Sequence, residues 1–212
     1  MTDTTAAVLS GDLIDSRAAD GIATARSIET LSGAARDFGN ALDCDLRFTR
    51  TRGDGWQGLV EPPYRALSAL VYLLARLRAA ETGLDTRAAL AIDRIDSPGT
   101  RDLSDADGPA FHAAGDALAA MTKRRLVIAG SGAGPLDDGT AALLDEVSQR
   151  WTAPQAEAVA LMLVPDGATQ EDVARQIGIT RQAVNLRLSG AGYAGVRIAL
   201  DRFAAAHGET SR

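Results

Sequence analysis

The stretch Arg50-Thr51-Arg52-Gly53-Asp54-Gly55-Trp56-Gln57-Gly58 does most to narrow the folds open to this chain. Leu46 and Phe48 precede it and Leu59 and Val60 follow it, so two apolar strands meet at a Gly-Asp-Gly turn. Gly tolerates positive φ and Asp bonds its own backbone, which makes the turn chemistry strong. A near echo lies upstream in Ser10-Gly11-Asp12-Leu13-Ile14-Asp15, where Gly-Asp again ends an apolar run, Ala6 to Leu9. Taken singly, each aspartate is an ordinary turn residue. Brought together in one sheet, Asp12 and Asp54 could hold a divalent cation.

Around these two points the chain alternates strand-like and helix-like patterns. Residues 6–14 read as a buried strand. Ile28, Leu31, Ala35, Phe38 and Leu42 recur in steps of three and four and predict a helix over 20–42. The hairpin spans 45–61, and Pro62-Pro63 breaks it and suits the first turn of a helix. That helix carries Leu67, Leu70, Val71, Leu74 and Leu77 on one stripe, with Gly83 as its stop. A strand over 87–95, a polar loop over 96–108, a helix over 109–121 and a short strand over 126–129 follow. Gly130-Ser131-Gly132-Ala133-Gly134-Pro135 lacks the Gly-Lys-Ser ending of a phosphate loop and reads as a turn. A helix over 137–150 leads onward. Strand, helix, hairpin, helix, strand, helix, strand predicts an α/β (α+β) fold, with helices packed on one face of the sheet in an order close to the ferredoxin-like palm.

Residues 151–212 change character. Thr152-Ala153-Pro154-Gln155 is a capping box, and Thr169 and Thr180 stand where N-caps of two further helices belong. Pro165-Asp166-Gly167 ends the first of these helices, and Gly178-Ile179-Thr180 joins the second to the third. Ala174 allows close approach and Gly178 permits the turn, so this part resembles the helix-turn-helix of bacterial regulators and of sigma-factor DNA-binding modules. With Ala183, Val184 and Leu188 inward, Thr180, Arg181, Gln182, Asn185 and Arg187 remain on the surface. Arg can read guanine, and Asn or Gln adenine. A small helical unit used for protein contact is the competing reading. A last helix over 193–206 either supports this unit or serves a dimer, and His207 falls in a frayed end. The expected organisation is a palm over 1–130, a connecting loop and helix over 131–150, and a helix-turn-helix domain over 151–212.

Composition sets limits on function. The chain has 212 residues and a formal charge of −6. The six acids and six arginines from Trp151 onward cancel, so the net charge belongs to residues 1–150. A DNA contact therefore comes from a few placed arginines and not from a bulk positive field. A single cysteine, Cys44, excludes an internal disulfide and a cysteine-based zinc site. No basic-then-apolar leader opens the chain, and no apolar run is long enough to span a bilayer, which predicts a cytoplasmic protein.

Two resemblances follow from the motifs. Ser10 to Ile14, Thr51 to Gly55, the segment 87–93 and the helix-forming 108–118 together resemble the nucleotidyl cyclase palm of class III adenylate cyclases. The resemblance implies magnesium or manganese at Asp12 and Asp54 together with a nucleotide-type ligand. It departs where the cyclase helix supplies an Asn and an Arg, because this chain has His112 and Asp116 there. An acid where phosphate charge builds opposes turnover, so binding is the favoured expectation and a divergent cyclase or phosphohydrolase the alternative. Over roughly 6–193 the chain is also similar to the SatD family. The shared motifs are Gly11 to Arg17, Gly53 to Gly58, Asp107 to His112, and the tail pieces Thr169 to Ala174 and Ile179 to Val184. Within that pattern Arg17, beside Ser16 at a helix N-terminus, is either a phosphate seat or a partner for a surface carboxylate. Arg50 lies where cyclases place a base-reading Lys. His112 either meets a ligand or packs structurally. Of Trp56 and Gln57, which alternate faces, Trp56 reads as core and Gln57 as the one turned to a ligand. The expectation is a homodimeric, DNA-binding transcriptional regulator that senses a nucleotide.

Overall fold

The computed structural model describes residues 4–164 and 167–208; Pro165 and Asp166, expected to form the turn that ends a helix, lie outside them. The architecture is mixed α/β, with a five-stranded sheet and eight α-helices among the described residues. Strand β1 (Thr4–Leu13) leads through α1 (Gly21–Leu42) to the hairpin of β2 (Asp45–Arg50) and β3 (Gly55–Glu61). A 3-10 turn (Pro63–Arg65) and α2 (Ala66–Ala79) lead to β4 (Thr86–Ile95), and α3 (Pro109–Ala120) connects it to β5 (Leu126–Ala129). The strand order is β2-β3-β1-β4-β5. β1 runs antiparallel to both β3 and β4, and β5 adds in parallel beyond β4. The first four strands thus have the split βαβ order of a ferredoxin-like sheet.

Alternation along β1 sends Ala7, Leu9 and Leu13 to one face and Ala6 and Val8 to the other. The first face is covered by α1 and α2 and, near β5, by α4 (Pro135–Ser148), which contributes Ala141 and Leu144. The helices do not keep to one face as expected: on the second face α3 packs Ala110, Phe111 and Ala114 against Ala6, Val8, Leu59 and Ala91, which a bare apolar strand face requires, and the loop before α3 adds Leu103.

α2 does not carry a single stripe. Ala66, Leu67, Ala69, Leu70, Val71, Tyr72, Leu73, Ala75 and Leu77 are all buried, so the helix is apolar almost all round. Its second covering is α5 (Ala153–Leu163), and Val159, Ala160 and Leu163 belong to the same apolar cluster as Leu9 and Leu70. α6 (Gln170–Ile177), α7 (Arg181–Gly190) and α8 (Tyr193–Ala206) complete the chain. α2 ends at Ala79, before Gly83, because Glu81 takes the left-handed conformation and the buried Thr82 hydroxyl accepts from Ser27 at 2.8 Å.

Thr152, Thr169 and Thr180 each cap their helices through the side chain, as expected. The glycine-rich loop is a turn docked on β4. Gly132 N donates to Ile92 O at 2.9 Å, Ser131 donates twice to Asp93, and a Cβ on Gly130 would lie 2.4 Å from Ile92 O. Burial pushes the Asp93 carboxyl up, but the two bonds from Ser131, a third from Arg94 N and the Arg94 charge together hold it below its ordinary range. His207 is not frayed. Its ring sits 4.3 Å from that of Phe203, and Nε2 lies 3.1 Å from Asp137 Oδ1, tying the end of α8 to the start of α4.

Candidate functional site

The hairpin end is built around a glycine and an indole. Gly11 pairs with Trp56 across β1 and β3, and a Cβ on Gly11 would lie 2.3 Å from the Trp56 ring and 2.7 Å from Arg87 O. Only glycine lets the ring lie there. Trp56 is 1% exposed, stacks on Phe48 at 5.6 Å, and donates from Nε1 to Thr86 Oγ1 at 2.9 Å. Thr86 in turn donates to the Asp12 carbonyl at 2.6 Å. Trp56 is therefore core, as expected, and it fixes the backbone of Asp12 from one face while the Asp12 side chain leaves toward the other.

On that other face the Asp12 carboxylate is already paired. Arg87 Nε donates to Oδ1 at 2.7 Å and Nη2 to Oδ2 at 2.8 Å, a bidentate fork, while Nη1 lies 3.4 Å from Met121 O. The side chains are about one-third and one-quarter exposed. Arg87 is held further into its charged form by the Asp12 hydrogen bonds first, against burial, and then by the charges of Asp12 and Asp54. Asp54 belongs to the same end of the sheet: its carbonyl accepts from Leu13 N at 3.3 Å and its carboxylate accepts the Ser16 hydroxyl. The hairpin turn holding it runs from Thr51 to Asp54, closed by Thr51 N to Gly55 O at 2.9 Å, with Gly53 at φ 71.

Two carboxylates at one strand end suit magnesium or manganese, which take one or two carboxylates and fill the remaining positions with water and phosphate oxygens. Among the described residues no group of three or more His, Cys, Asp or Glu forms a protein-only cage. A divalent ion there would need Arg87 to yield Asp12 and a ligand to supply the remaining donors.

The other expected residues divide. Gln57 sits half-buried between Ser10 and Thr49 in register, on the Asp12 face. Arg50 does not reach toward that face: its Nε and Nη2 donate to Gly53 O at 2.9 and 2.7 Å, so it staples the hairpin turn. Arg17 is exposed, and the N-terminus of α1 is capped by Asp20, whose carboxylate accepts from Ala23 N at 2.6 Å. A phosphate at that helix end would meet a carboxylate, which removes the expected seat. His112 stands at the wrong end of the sheet. α3 starts where Gly108 abuts Ile95 and Asp96, whereas Asp12 pairs with Arg87, about 27 Å away along β4. There His112 is largely exposed, with Nε2 3.0 Å from Asp107 Oδ1. Arg87, Thr86 and the Gly11–Trp56 contact are what the sequence reading missed. The signal for Arg87 was a basic residue opening the strand that pairs with β1.

The second candidate surface is α7. Thr180 caps it, with the hydroxyl accepting from Ala183 N at 3.2 Å, so it supports the helix. Arg181, Gln182 and Asn185 are exposed, and Leu186 beside Gln182 is 72% exposed. Gln170 of α6 donates to Asn185 Oδ1 at 3.4 Å. Arg187 does not belong to this surface. Its Nη1 donates to Glu157 Oε2 at 2.9 Å, so it ties α7 to α5, about one and two-thirds turns on from Arg181.

No family model and no curated protein matches the chain, so the SatD resemblance rests on its motifs alone. Among solved structures, the chain is similar to the guanylyl cyclase Cya2 at 14% identity and a TM-score of 0.42, over 59% of this chain and 74% of that one. No helix among the described residues is long and apolar enough to cross a membrane.

Proposed function

We propose that this is a cytoplasmic DNA-binding regulator whose sheet end, at Asp12 and Asp54, takes a nucleotide-type phosphate ligand together with magnesium or manganese. The observation that carries the reading is the meeting of two Gly-Asp strand ends at one end of the sheet, in a chain whose α7 offers Arg181, Gln182 and Asn185 to solvent. Asp12 and Asp54 hold the metal, Gln57 faces the ligand from β3, and the metal neutralises phosphate charge when bound. The packing of α5 on α2 supports a route from the sheet to α6 and α7, because a shift of α2 must move α5. Binding is favoured over turnover, since His112 stands with Asp107 at the far end of the sheet and Asp116 puts an acid where the cyclase helix supplies an Arg. A homodimer fits the DNA role, as one short recognition helix in a neutral unit has little affinity by itself and paired half-sites raise it.

Calorimetry with nucleoside triphosphates, cyclic nucleotides and dinucleotides, with and without magnesium, tests the sensor. Heat that appears only with magnesium and is lost in Asp12→Ala supports it, and silence across the panel removes it. Selection from random duplex DNA tests the other half: an enriched site that Arg181→Ala no longer retains is the expected result.

A further inference from the structure

We infer that Arg87 is an exchangeable counter-ion: it holds Asp12 until a metal-bound phosphate arrives, then passes Asp12 to the metal and takes the phosphate itself. The inference rests on the metal and ligand reading above and names the residue that would make the site respond to the pair and not to the metal alone.

The argument starts from charge. Asp12, Asp54 and Arg87 together carry one net negative charge, and the Arg87 fork already satisfies both Asp12 oxygens. A divalent ion placed on those oxygens would sit against a guanidinium and compete with it for the same lone pairs. Metal alone is therefore opposed. Once the guanidinium leaves, it needs an anion of matching shape, and a phosphate edge accepts the same two-pronged donation as a carboxylate. A phosphate bound to the metal would stand within reach. The side chain is free to make the move. It is about one-third exposed, and among the described residues its one hydrogen bond beyond Asp12 is the long 3.4 Å approach of Nη1 to Met121 O. The backbone is not free: Thr86 and Trp56 clamp the Asp12 carbonyl, so the exchange is confined to side chains.

The exchange predicts opposite signs for two ligands. Manganese alone should bind Arg87→Ala about tenfold more tightly than the unaltered chain, because the competitor is gone. Manganese with inorganic tripolyphosphate should bind Arg87→Ala about tenfold more weakly, because the phosphate partner is gone. Calorimetry on the full chain reads both, and the double variant Asp12→Asn/Arg87→Ala should lose the gain for manganese. A merely structural Arg87 moves the two affinities in the same direction. Should Arg87→Ala fail to fold, Arg87→Lys keeps a charge without the fork and should show the same opposed shifts at about threefold.

If the unaltered chain binds manganese tripolyphosphate but Arg87→Ala binds manganese no more tightly, the exchange is wrong and the site reading stands. If neither chain binds either probe, both fall.

Discussion

The two faces of the sheet are finished differently. On the face under α1 and α2 the apolar cluster runs the whole length of the strands, from Leu13 and Trp56 at the hairpin end through Leu9 and Val60 to Leu46. On the α3 face the cluster is small and stops at Val8, Leu59 and Ala91, leaving Ser10, Asp12, Gln57 and Arg87 beyond it. One face stabilises and the other keeps polar groups at its end. The glycine at position 11 is where the two meet, since the ring it admits on one side fixes the strand that carries Asp12 on the other.

The sharpest way to break this contrast is to empty each face in turn. Trp56→Ala should cost about 4–5 kcal/mol in urea unfolding, against about 3 kcal/mol for Phe111→Ala on the α3 face. Equal losses would mean that the second face is as structural as the first. Gly11→Ala comes next. Its methyl group has no room beside the indole and the Arg87 carbonyl, so about 3 kcal/mol should go, with tryptophan fluorescence reporting the displaced ring.

Cys44 probes the sealed side through pH. Burial pushes its thiol up to about 11 from 9.0, with the Arg65 charge working against it and Asp45, Asp43 and Glu61 adding to it. The folded chain therefore keeps a proton that the unfolded chain releases. The stability from this thiol is whole below pH 9 and is lost as pH rises from 9 toward about 11, by about 2–3 kcal/mol in all. The difference between the unaltered chain and Cys44→Ala, followed by urea unfolding from pH 8 to 11, isolates it. The smallest effects belong to α7. Arg181→Ala and Asn185→Ala should leave stability within about 0.5 kcal/mol, and Arg187→Ala should cost no more than about 1 kcal/mol by breaking a partly exposed pair with Glu157. If Arg187→Ala abolished binding to a selected duplex while Arg181→Ala spared it, the face assigned to DNA would be the wrong one.

The strands, the hairpin and the threonine caps were legible because each rests on local chemistry: apolar runs, Gly and Asp at turns, hydroxyls before helices. Most boundaries moved by a residue or two, as where the cap Asp20 took over, while α2 stopped well short of Gly83. What could not be read depended on register and on packing between distant segments. Nothing local says that Arg87 faces Asp12 or that Arg187 finds Glu157 on α5. Nor does local chemistry say that α3 begins at the far end of β4, which carries His112 to Asp107 and away from the aspartates. One clue was present and undervalued. Residues 66–77 are apolar apart from Ser68, Tyr72 and Arg76, a wider apolar face than a helix resting on a single surface needs.

That all-round burial of α2 has a consequence for how the chain can be divided. A boundary near residue 150 looks natural in the sequence, where composition and charge change. Cutting there would strip α5 from α2 and expose a broad apolar surface along a helix whose polar groups are few, Ser68, Tyr72, Arg76 and Arg78. The two halves share a wall. The shorter piece should aggregate and not stand as an independent module, and any inheritance of the sheet unit without its helices would require that wall to be rewritten residue by residue.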